Sequence, residues 1–402
     1  MRPWLAVVGI GEDGLAGLAP VGRALVETAE VLVGGARHLG MITSVNVERI
    51  VWERPLRGTV DRIAALRGRR VTVVASGDPM WYGVGVTLTR RFPREEMTII
   101  PQPSAFSLAA ARLGWPLADC ATMTLQGRPL DTLRLHLAPR RHILVLSEDG
   151  GTPRTVAELL TGLGWGLSRL TVLAHLGGPH EAVVVEEAQA WGDRRVPDLN
   201  TIAIDCRPGS GTHVLSRLPG LPDEVFEHDG QLTKREVRAA TLAALAPMPG
   251  EALWDIGAGC GSIAIEWLRG GEGRAAIAIE RDPERAAIIA HNAASLGVPS
   301  LCVVRGAAPE ALARLRSPDA IFIGGGIGAP GLLATAWANL LPGGRLVANV
   351  VTAEGEAHLL DWRARHGGAL SRIAVSRAEP VGPYHLWRPL APVTQLAALK
   401  PG

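Results

Sequence analysis

Along the first half of the chain, short β-branched runs alternate with longer stretches whose apolar positions recur every three to four residues. The continuous runs predict buried strands, and the spaced ones predict helices. Strands are expected at Leu5–Val8, Val31–Val33, Val71–Ala75, Thr98–Ile100, Ile143–Leu146, Leu170–Ala174, Ala182–Val185 and Thr201–Asp205. Helical periods lie between them, among them Val60–Leu66 and Thr155–Leu163. The stretch HEAVVVEEAQA follows a Gly-Gly-Pro turn and reads as the return strand of a hairpin. The pattern predicts a first α/β domain over residues 1–206. It divides near residues 101–115 into a parallel-sheet half and a more mixed half.

From Arg207 to Pro222 the period is lost in a run rich in Gly, Pro and Ser, RPGSGTHVLSRLPGLP, which is expected to be a linker. Alternation resumes over residues 223–402. Strands are expected at Ala252–Ile256, Ala275–Ile279, Leu301–Val304, Ala320–Ile323 and Arg345–Val350. Helices are expected at Ser262–Leu268, Pro283–Ser295 and Pro330–Leu340. That order predicts a doubly wound parallel sheet. The two halves share glycine turns and nothing more, so they are two different α/β domains and not an internal repeat.

Composition narrows the class. Apolar residues make up 47% of the 402, which suits sizeable cores and argues against disorder. A net charge of +2 with no block of like charge argues against a nucleic-acid partner. No apolar run reaches the length of a membrane span. The N-terminal MRPWLAVVGIG flows straight into a glycine turn and reads poorly as a signal peptide. Cys120, Cys206, Cys260 and Cys302 are too scattered for a zinc motif or an obvious disulfide framework, so a cytoplasmic chain with free thiols is expected. No metal is expected either, and none of the eleven histidines forms a ligand-like pair; surface or packing roles are expected for them. Lys234 and Lys400 are the only lysines, so 39 of the 41 basic residues are arginine. A GC-rich genome accounts for that bias, and bidentate binding of carboxylates by some of the arginines is compatible with it.

The densest chemical signal runs from Ala252 to Ser262, ALWDIGAGCGS. An apolar run closes on Asp255, glycines follow at 257, 259 and 261, and a helical pattern begins. A second apolar run, AAIAIE, ends in Glu280. This is the outline of a nucleotide-type site in a βαβ unit, with an acid placed to accept hydrogen bonds from two ribose hydroxyls. The GxGxG spacing differs from the GxGxxG that seats a pyrophosphate at a helix N-terminus. A carboxylate two residues ahead of the first glycine would repel a pyrophosphate and suits an ammonium or sulfonium. The stretch resembles the S-adenosylmethionine site of the Rossmann-like (class I) methyltransferases. A glycine turn that serves only helix–strand packing would leave Glu280 unexplained.

A second set lies near the N-terminus: LAVVGIGEDG over Leu5 to Gly14, then VTVVASGDPMWYGVG, then PQPSAFSLAAARLGWPL over Pro101 to Leu117. An SGDP turn alone is also an ordinary type I turn. In this order the three resemble the tetrapyrrole methylase (class III methyltransferase) domain, whose cofactor lies folded in a cleft between two α/β halves. Three further stretches, DGQLTKREVR at Asp229–Arg238, RGAAP at Arg305–Pro309 and FIGGGIG at Phe322–Gly328, resemble the decarboxylating precorrin methyltransferases of cobalamin biosynthesis. The N-terminal motifs fit the companion methylase of the same step, so the resemblance covers nearly the whole chain.

The resemblance implies two S-adenosyl-L-methionine sites per chain. In the first domain it implies Gly9, Gly11, Gly77, Asp78 and Pro79 at the cleft, with Ser104 and Ala105 on the next loop. The proline-containing GPG turn of that family is here Gly11-Glu12-Asp13-Gly14, a departure at Glu12 and Asp13. In the second domain it implies Gly257, Ala258, Gly259 and Gly261 around the amino-acid end of the cofactor, with Asp255 near its amino group. It further implies Glu280 on the ribose, Gly306 and Ala307 beside the adenine, and Thr233 and Lys234 on a segment folding over the cofactor. Gly324, Gly325, Gly326 and Gly328 stand where amine-methylating enzymes carry an Asn- or Asp-Pro-Pro-aromatic motif. They form a substrate loop with room for a large flat ring, or a flexible loop.

The substrate implied is a precorrin-6 tetrapyrrole, methylated at carbons 5 and 15 and decarboxylated at the ring C acetate to precorrin-8X. Carbon 15 and the decarboxylation fall to the second domain, and carbon 5 to the first. Arginines around the C-terminal glycine loop are expected to bind the substrate's carboxylates. A homo-oligomer, as in a tetramer-forming family, is implied as well. No nucleophilic triad or catalytic residue is evident. The competing readings are an RNA or small-molecule methyltransferase, a nicotinamide oxidoreductase, which would want GxGxxG, and a cofactor-free binding protein.

Overall fold

A computed structural model describes residues 3–402. The chain forms two compact units. Unit 1 comprises the chain up to Arg128 together with His136–His213; unit 2 comprises Pro129–Leu135 with Val214–Gly402.

Unit 1 holds two five-stranded sheets. The first consists of β1 (Leu5–Ile10), β2 (Val31–Gly34), β3 (Glu48–Val51), β4 (Val71–Ser76) and β5 (Met97–Ile100) in the order β3-β2-β4-β1-β5. All its pairings are parallel. Both faces are covered, which is why the strands read as unbroken apolar runs. Leu5, Val7, Val31 and Val73 pack on one side with Val60 and Ile63 of the helix Leu56–Ala64. Ala6, Val8, Leu32 and Val74 pack on the other with Val26. The helix Ala105–Leu113 leads to the second sheet. This consists of β6 (Ala121–Thr124), β7 (His142–Leu146), β8 (Arg169–Ala174), β9 (Ala182–Glu187) and β10 (Asn200–Asp205), ordered β6-β7-β10-β8-β9. Only β6 and β7 are parallel, so the expected change from a parallel to a mixed half is present. The expected hairpin is β8–β9, with Ala174 opposite Ala182.

Unit 2 is built on one seven-stranded sheet. Its strands are β11 (Ala252–Ile256), β12 (Ala275–Glu280), β13 (Cys302–Arg305), β14 (Ala320–Ile323), β15 (Arg345–Val350), β16 (Ala369–Ile373) and, after the hairpin β17 (Ser376–Val381) and β18 (Tyr384–Pro389), β19 (Val393–Leu399). The order β13-β12-β11-β14-β15-β19-β16 has five parallel strands and then two antiparallel pairings. Strand order reverses between β11 and β14, which puts the expected ligand crevice at their carboxyl ends.

The stretch expected as a linker is tied down at both ends. Arg207 N donates to Ser168 Oγ (3.0 Å) and Thr212 Oγ1 to the Gly164 carbonyl (2.7 Å) in unit 1. Gly220 N and Leu221 N donate to the Glu266 carboxylate (2.7 and 3.0 Å) in unit 2. No helix among the described residues is long and apolar enough to cross a membrane.

Candidate functional site

In unit 2, β11 and β14 run into glycine turns that touch. Gly257 has φ +68°, and a Cβ there would lie 2.8 Å from the backbone of Gly325. Gly257 N donates to the Ile279 carbonyl (3.0 Å) and Gly324 N to the Ile256 carbonyl (2.9 Å), so both turns are pinned to strand ends. Beside them opens a cavity of about 580 Å3. Thr233, Lys234, Gly257, Ala258, Gly259, Gly324, Gly325 and Gly326 line it. Asp255, Gly261, Glu280, Gly306, Ala307 and Gly328 stand outside the lining.

Their positions explain much of their chemistry. Glu280 is 5% exposed at the end of β12. One carboxylate oxygen accepts from Gly259 N (2.9 Å) and the other from Asp282 N (3.0 Å), so this acid shapes the glycine turn. On the neighbouring strand end, Gly306 N donates to the Glu280 carbonyl (3.0 Å), and the Ala307 carbonyl accepts from Ala311 N (2.9 Å). Gly261 has φ +81°, and a Cβ on it would fall 2.8 Å from Ile289, so glycine lets two helices approach. Gly328 abuts His358.

Asp255 is 1% exposed. Its Oδ2 accepts from Ala264 N (3.0 Å), and its Oδ1 is buried without a partner. Burial pushes the carboxyl up to about 7; the Ala264 N–H opposes this and the charge of Glu280 adds to it. An unpartnered buried carboxylate oxygen at the first strand end suits a cationic group.

Several wall residues were not anticipated. Asn349 lines the cavity, its amide held by Thr241 Oγ1 (2.8 Å) and Gln395 Nε2 (2.9 Å). An apolar strip of Val350, Val351, Ile373, Val375, Leu390 and Val393 completes the wall. Among the described residues no arginine lines it, although arginines were expected around this loop. Three arginines of this unit are engaged elsewhere. Arg238 is wholly buried against Glu266 (2.7 Å), Asp223 (2.9 Å) and the Thr233 carbonyl (2.5 Å), Arg345 pairs with Glu251, and Arg285 with Asp229.

In unit 1, a cleft of about 600 Å3 is lined from both sheets. Gly11, Gly77, Asp78, Ser104 and Ala105 line it; Gly9 and Pro79 stand outside the lining. A Cβ on Gly9 would fall 1.8 Å from the Gly77 carbonyl oxygen, a direct clash of backbone with side chain. Asp78 Oδ1 accepts from Met80 N (2.8 Å) and closes the turn after β4. Ser104 Oγ accepts from Ser107 N (3.2 Å) and caps the helix Ala105–Leu113.

The cleft also gathers a polar cluster from separate segments. Arg37 pairs with Glu12 and reaches His38 Nε2 (2.7 Å) and Ser76 Oγ (3.2 Å). Glu12 in turn meets His175 Nδ1 (3.1 Å). Burial, with Arg37 beside it, lowers His38 to about 4, so its imidazole is neutral at pH 7. His38 was expected in a packing or surface role; it is part of the cleft wall. Arg37 and His38 come just after Gly34 and Gly35 at the end of β2, a local hint, but their meeting with Glu12 and Ser76 is tertiary.

Two family descriptions match the chain: tetrapyrrole (corrin/porphyrin) methylases over residues 5–190 and the precorrin methyltransferase domain over residues 224–400. The chain is 52% identical to the precorrin-6Y C(5,15)-methyltransferase (decarboxylating) of Sinorhizobium sp, over 98% of this chain and 96% of that one. Two relatives match about half of it. The cobalt-precorrin-7 C(5)-methyltransferase of Salmonella typhimurium is 30% identical over 50% of this chain and 92% of its own length. The probable cobalt-precorrin-6B C(15)-methyltransferase (decarboxylating) of Pyrobaculum aerophilum is 37% identical over 45% of this chain and 95% of its own.

Proposed function

Because this chain belongs to the precorrin-6Y C(5,15)-methyltransferase (decarboxylating) family, we propose that its two units share one substrate, each with its own molecule of methyl donor. The chain is an S-adenosylmethionine-dependent C-methyltransferase with decarboxylase activity, acting on a precorrin in cobalamin biosynthesis. In this reading unit 1 methylates carbon 5, and unit 2 methylates carbon 15 and removes the ring C acetate, giving precorrin-8X. The observation that carries it is one cavity in each unit, framed by glycine turns at the carboxyl edge of a parallel sheet and sized for a small ligand. Relatives of about half this length, each named for one of the two methylations, support the division.

When bound, S-adenosylmethionine supplies a methyl group to an electron-rich bridge carbon. The residues of unit 2 fit such a group: backbone without side chains at Gly257 and Gly259, the lone oxygen of Asp255 for a cationic nitrogen, and the remaining lone pairs of Glu280 for ribose hydroxyls. In unit 1, Gly11, Gly77, Asp78, Ser104 and Ala105 would hold it. The protein's main contribution is alignment, which can lower a barrier by roughly 7–11 kcal/mol. The apolar strip of unit 2 excludes water from the carboxylate that departs. Methylation of RNA gains no support from a cavity with one cationic side chain.

Self-association belongs to the proposal: β18 leaves Tyr384, Leu386 and Trp387 exposed, an apolar patch that suits contact with another chain, in a tetramer on this reading. So does a cytoplasmic site of action, which four unpaired cysteines support.

Calorimetric titration of the whole chain with S-adenosylhomocysteine should give two sites; one site on folded protein would refute the reading. With the precorrin substrate, Glu280→Ala should release no carbon dioxide and add at most one methyl. Asp78→Ala should still decarboxylate and add one methyl. Product masses separate the outcomes, and the reverse pattern would exchange the roles of the units.

A further inference from the structure

The two cavities are nearly equal in volume and unlike in charge. Glu12, Asp78, Glu148 and Asp198 stand around the cleft of unit 1, with Arg37 the one arginine there among the described residues. Among the described residues, one formally charged residue, Lys234, lines the cavity of unit 2. Among the described residues its ammonium makes no ion pair or hydrogen bond. The other lysine, Lys400, is committed to the carbonyls of Trp337, Ala338 and Leu340.

The backbone that carries Lys234 is fixed from behind. Arg238 N donates to the Lys234 carbonyl (2.8 Å), and the buried Arg238 guanidinium donates to the Thr233 carbonyl (2.5 Å). A held backbone therefore presents a flexible, unpaired cation at a cavity whose described lining holds no other charged residue. A carboxylate is the natural partner for it. Resting on the function proposed above, we propose that Lys234 is a positioning residue. Its ammonium takes a peripheral carboxylate of the tetrapyrrole, and the acetate that is lost lies instead against the apolar strip of Ile373, Val375, Leu390 and Val393.

The chemistry favours this split. In the decarboxylation, the bond between the carboxylate carbon and its methylene breaks. The bonding pair passes through the methylene into the conjugated ring, which methyl transfer has left electron-poor. Carbon dioxide departs, and the methylene then takes one proton from water. Negative charge leaves the carboxylate as the bond breaks. An ammonium gripping that group would stabilise the starting state more than the transition state and slow the step. An apolar wall disfavours the charged starting form and does the reverse. The cation therefore serves best on a carboxylate that stays. The amino-acid carboxylate of the methyl donor is the other carboxylate that reaches this cavity. It has a receptor of its own in the N-terminus of the helix Ser262–Arg269, whose first residues Ser262 and Ile263 line the wall.

The test uses the whole chain, with carbon dioxide release followed against tetrapyrrole concentration. Lys234→Gln should raise KM for the tetrapyrrole about tenfold or more, the loss of one charged contact, with kcat within twofold. The rise of KM with salt should be much weaker in this variant than in the wild type, because the screened ion pair is gone. Lys234→Arg should restore most of the affinity. S-adenosylhomocysteine affinity should be unchanged, which also shows that the variant is folded. An unchanged KM would overturn the proposal, and so would a fall in S-adenosylhomocysteine affinity, which would assign the lysine to the methyl donor. A change in kcat at constant KM would overturn it too, by placing the ammonium on the departing acetate. Failure of the underlying reading looks different: the wild-type chain itself would then release no carbon dioxide.

Discussion

Replacing Asp255 by Asn tests whether the first strand of unit 2 carries a carboxyl that burial holds protonated. Its pKa is about 7 in the folded chain and close to the ordinary carboxylate value of about 4 when unfolded. The folded state thus binds the proton more tightly. The stability this provides is complete below about pH 4 and is lost progressively as pH rises towards 7. About three pH units correspond to a loss on the order of 4 kcal/mol at pH 8 relative to the acid side. Asparagine keeps an acceptor for Ala264 N, carries no charge, and leaves an N–H where Oδ1 has no partner. That orphan donor costs about 1–3 kcal/mol at any pH. At pH 8 without cofactor, Asp255→Asn should therefore be more stable than wild type by about 1–3 kcal/mol, and near pH 4.5 the advantage should vanish or reverse. Urea unfolding of unit 2 reads this directly. With a slope of about 2 kcal/mol per molar, the midpoints should separate by roughly 0.5–1.5 M at pH 8 and converge on the acid side. A constant offset at both pH values would refute the reasoning, because it would mean that Asp255 is ionised in the folded chain throughout.

Gly9→Ala puts a methyl on the Gly77 carbonyl oxygen, so it should destabilise unit 1 by about 3 kcal/mol and abolish one of the two S-adenosylhomocysteine sites while sparing the other. Chains 1–213 and 214–402 should each fold when expressed apart, the second at a small cost in stability because it lacks Pro129–Leu135, whose Leu135 packs on its core. A cut at 207 removes Thr212 from the Gly164 carbonyl and should lower the melting temperature of the first fragment by a few degrees, seen by circular dichroism. Arg238→Met leaves Glu266 and Asp223 without their buried partner and should cost about 3–5 kcal/mol in unit 2, whereas pairing it with Glu266→Gln should recover part of the loss in the same urea assay.

Much of this fold was legible because its parallel strands are covered on both faces. Runs such as VLVG at β2 and AIFI at β14 are buried throughout, and continuous burial leaves a continuous apolar run. β3 was missed since only Ile50 among its four residues is buried. β16, β17 and β18 are half-buried or exposed along their whole length, so no period marks them. The glycine turns were legible because a backbone that must approach another backbone excludes Cβ at a fixed sequence position. The polar cluster of unit 1 was not, since Glu12, Arg37 and Ser76 come from three separate segments. The described cavity wall of unit 2 carries no arginine for a related reason. Counting basic residues does not reveal which of them are already paired, and Arg238 and Arg345 are, while Lys234 is not.

The position of β19 bears on how unit 2 comes into being. This strand lies between β15 and β16 and pairs with both, so the earlier-made β16 has no neighbour in the sheet until Val393–Leu399 has been synthesised. At roughly 5–20 residues per second, the ribosome needs about two to ten seconds to pass from Val350, the end of β15, to Leu399. For that interval the unit exposes an open edge at β15, whereas all the strands of unit 1 have already been made. A nascent chain halted before Val393 would hold one finished unit and one with a bare, pairing-competent strand, the form most in need of a chaperone.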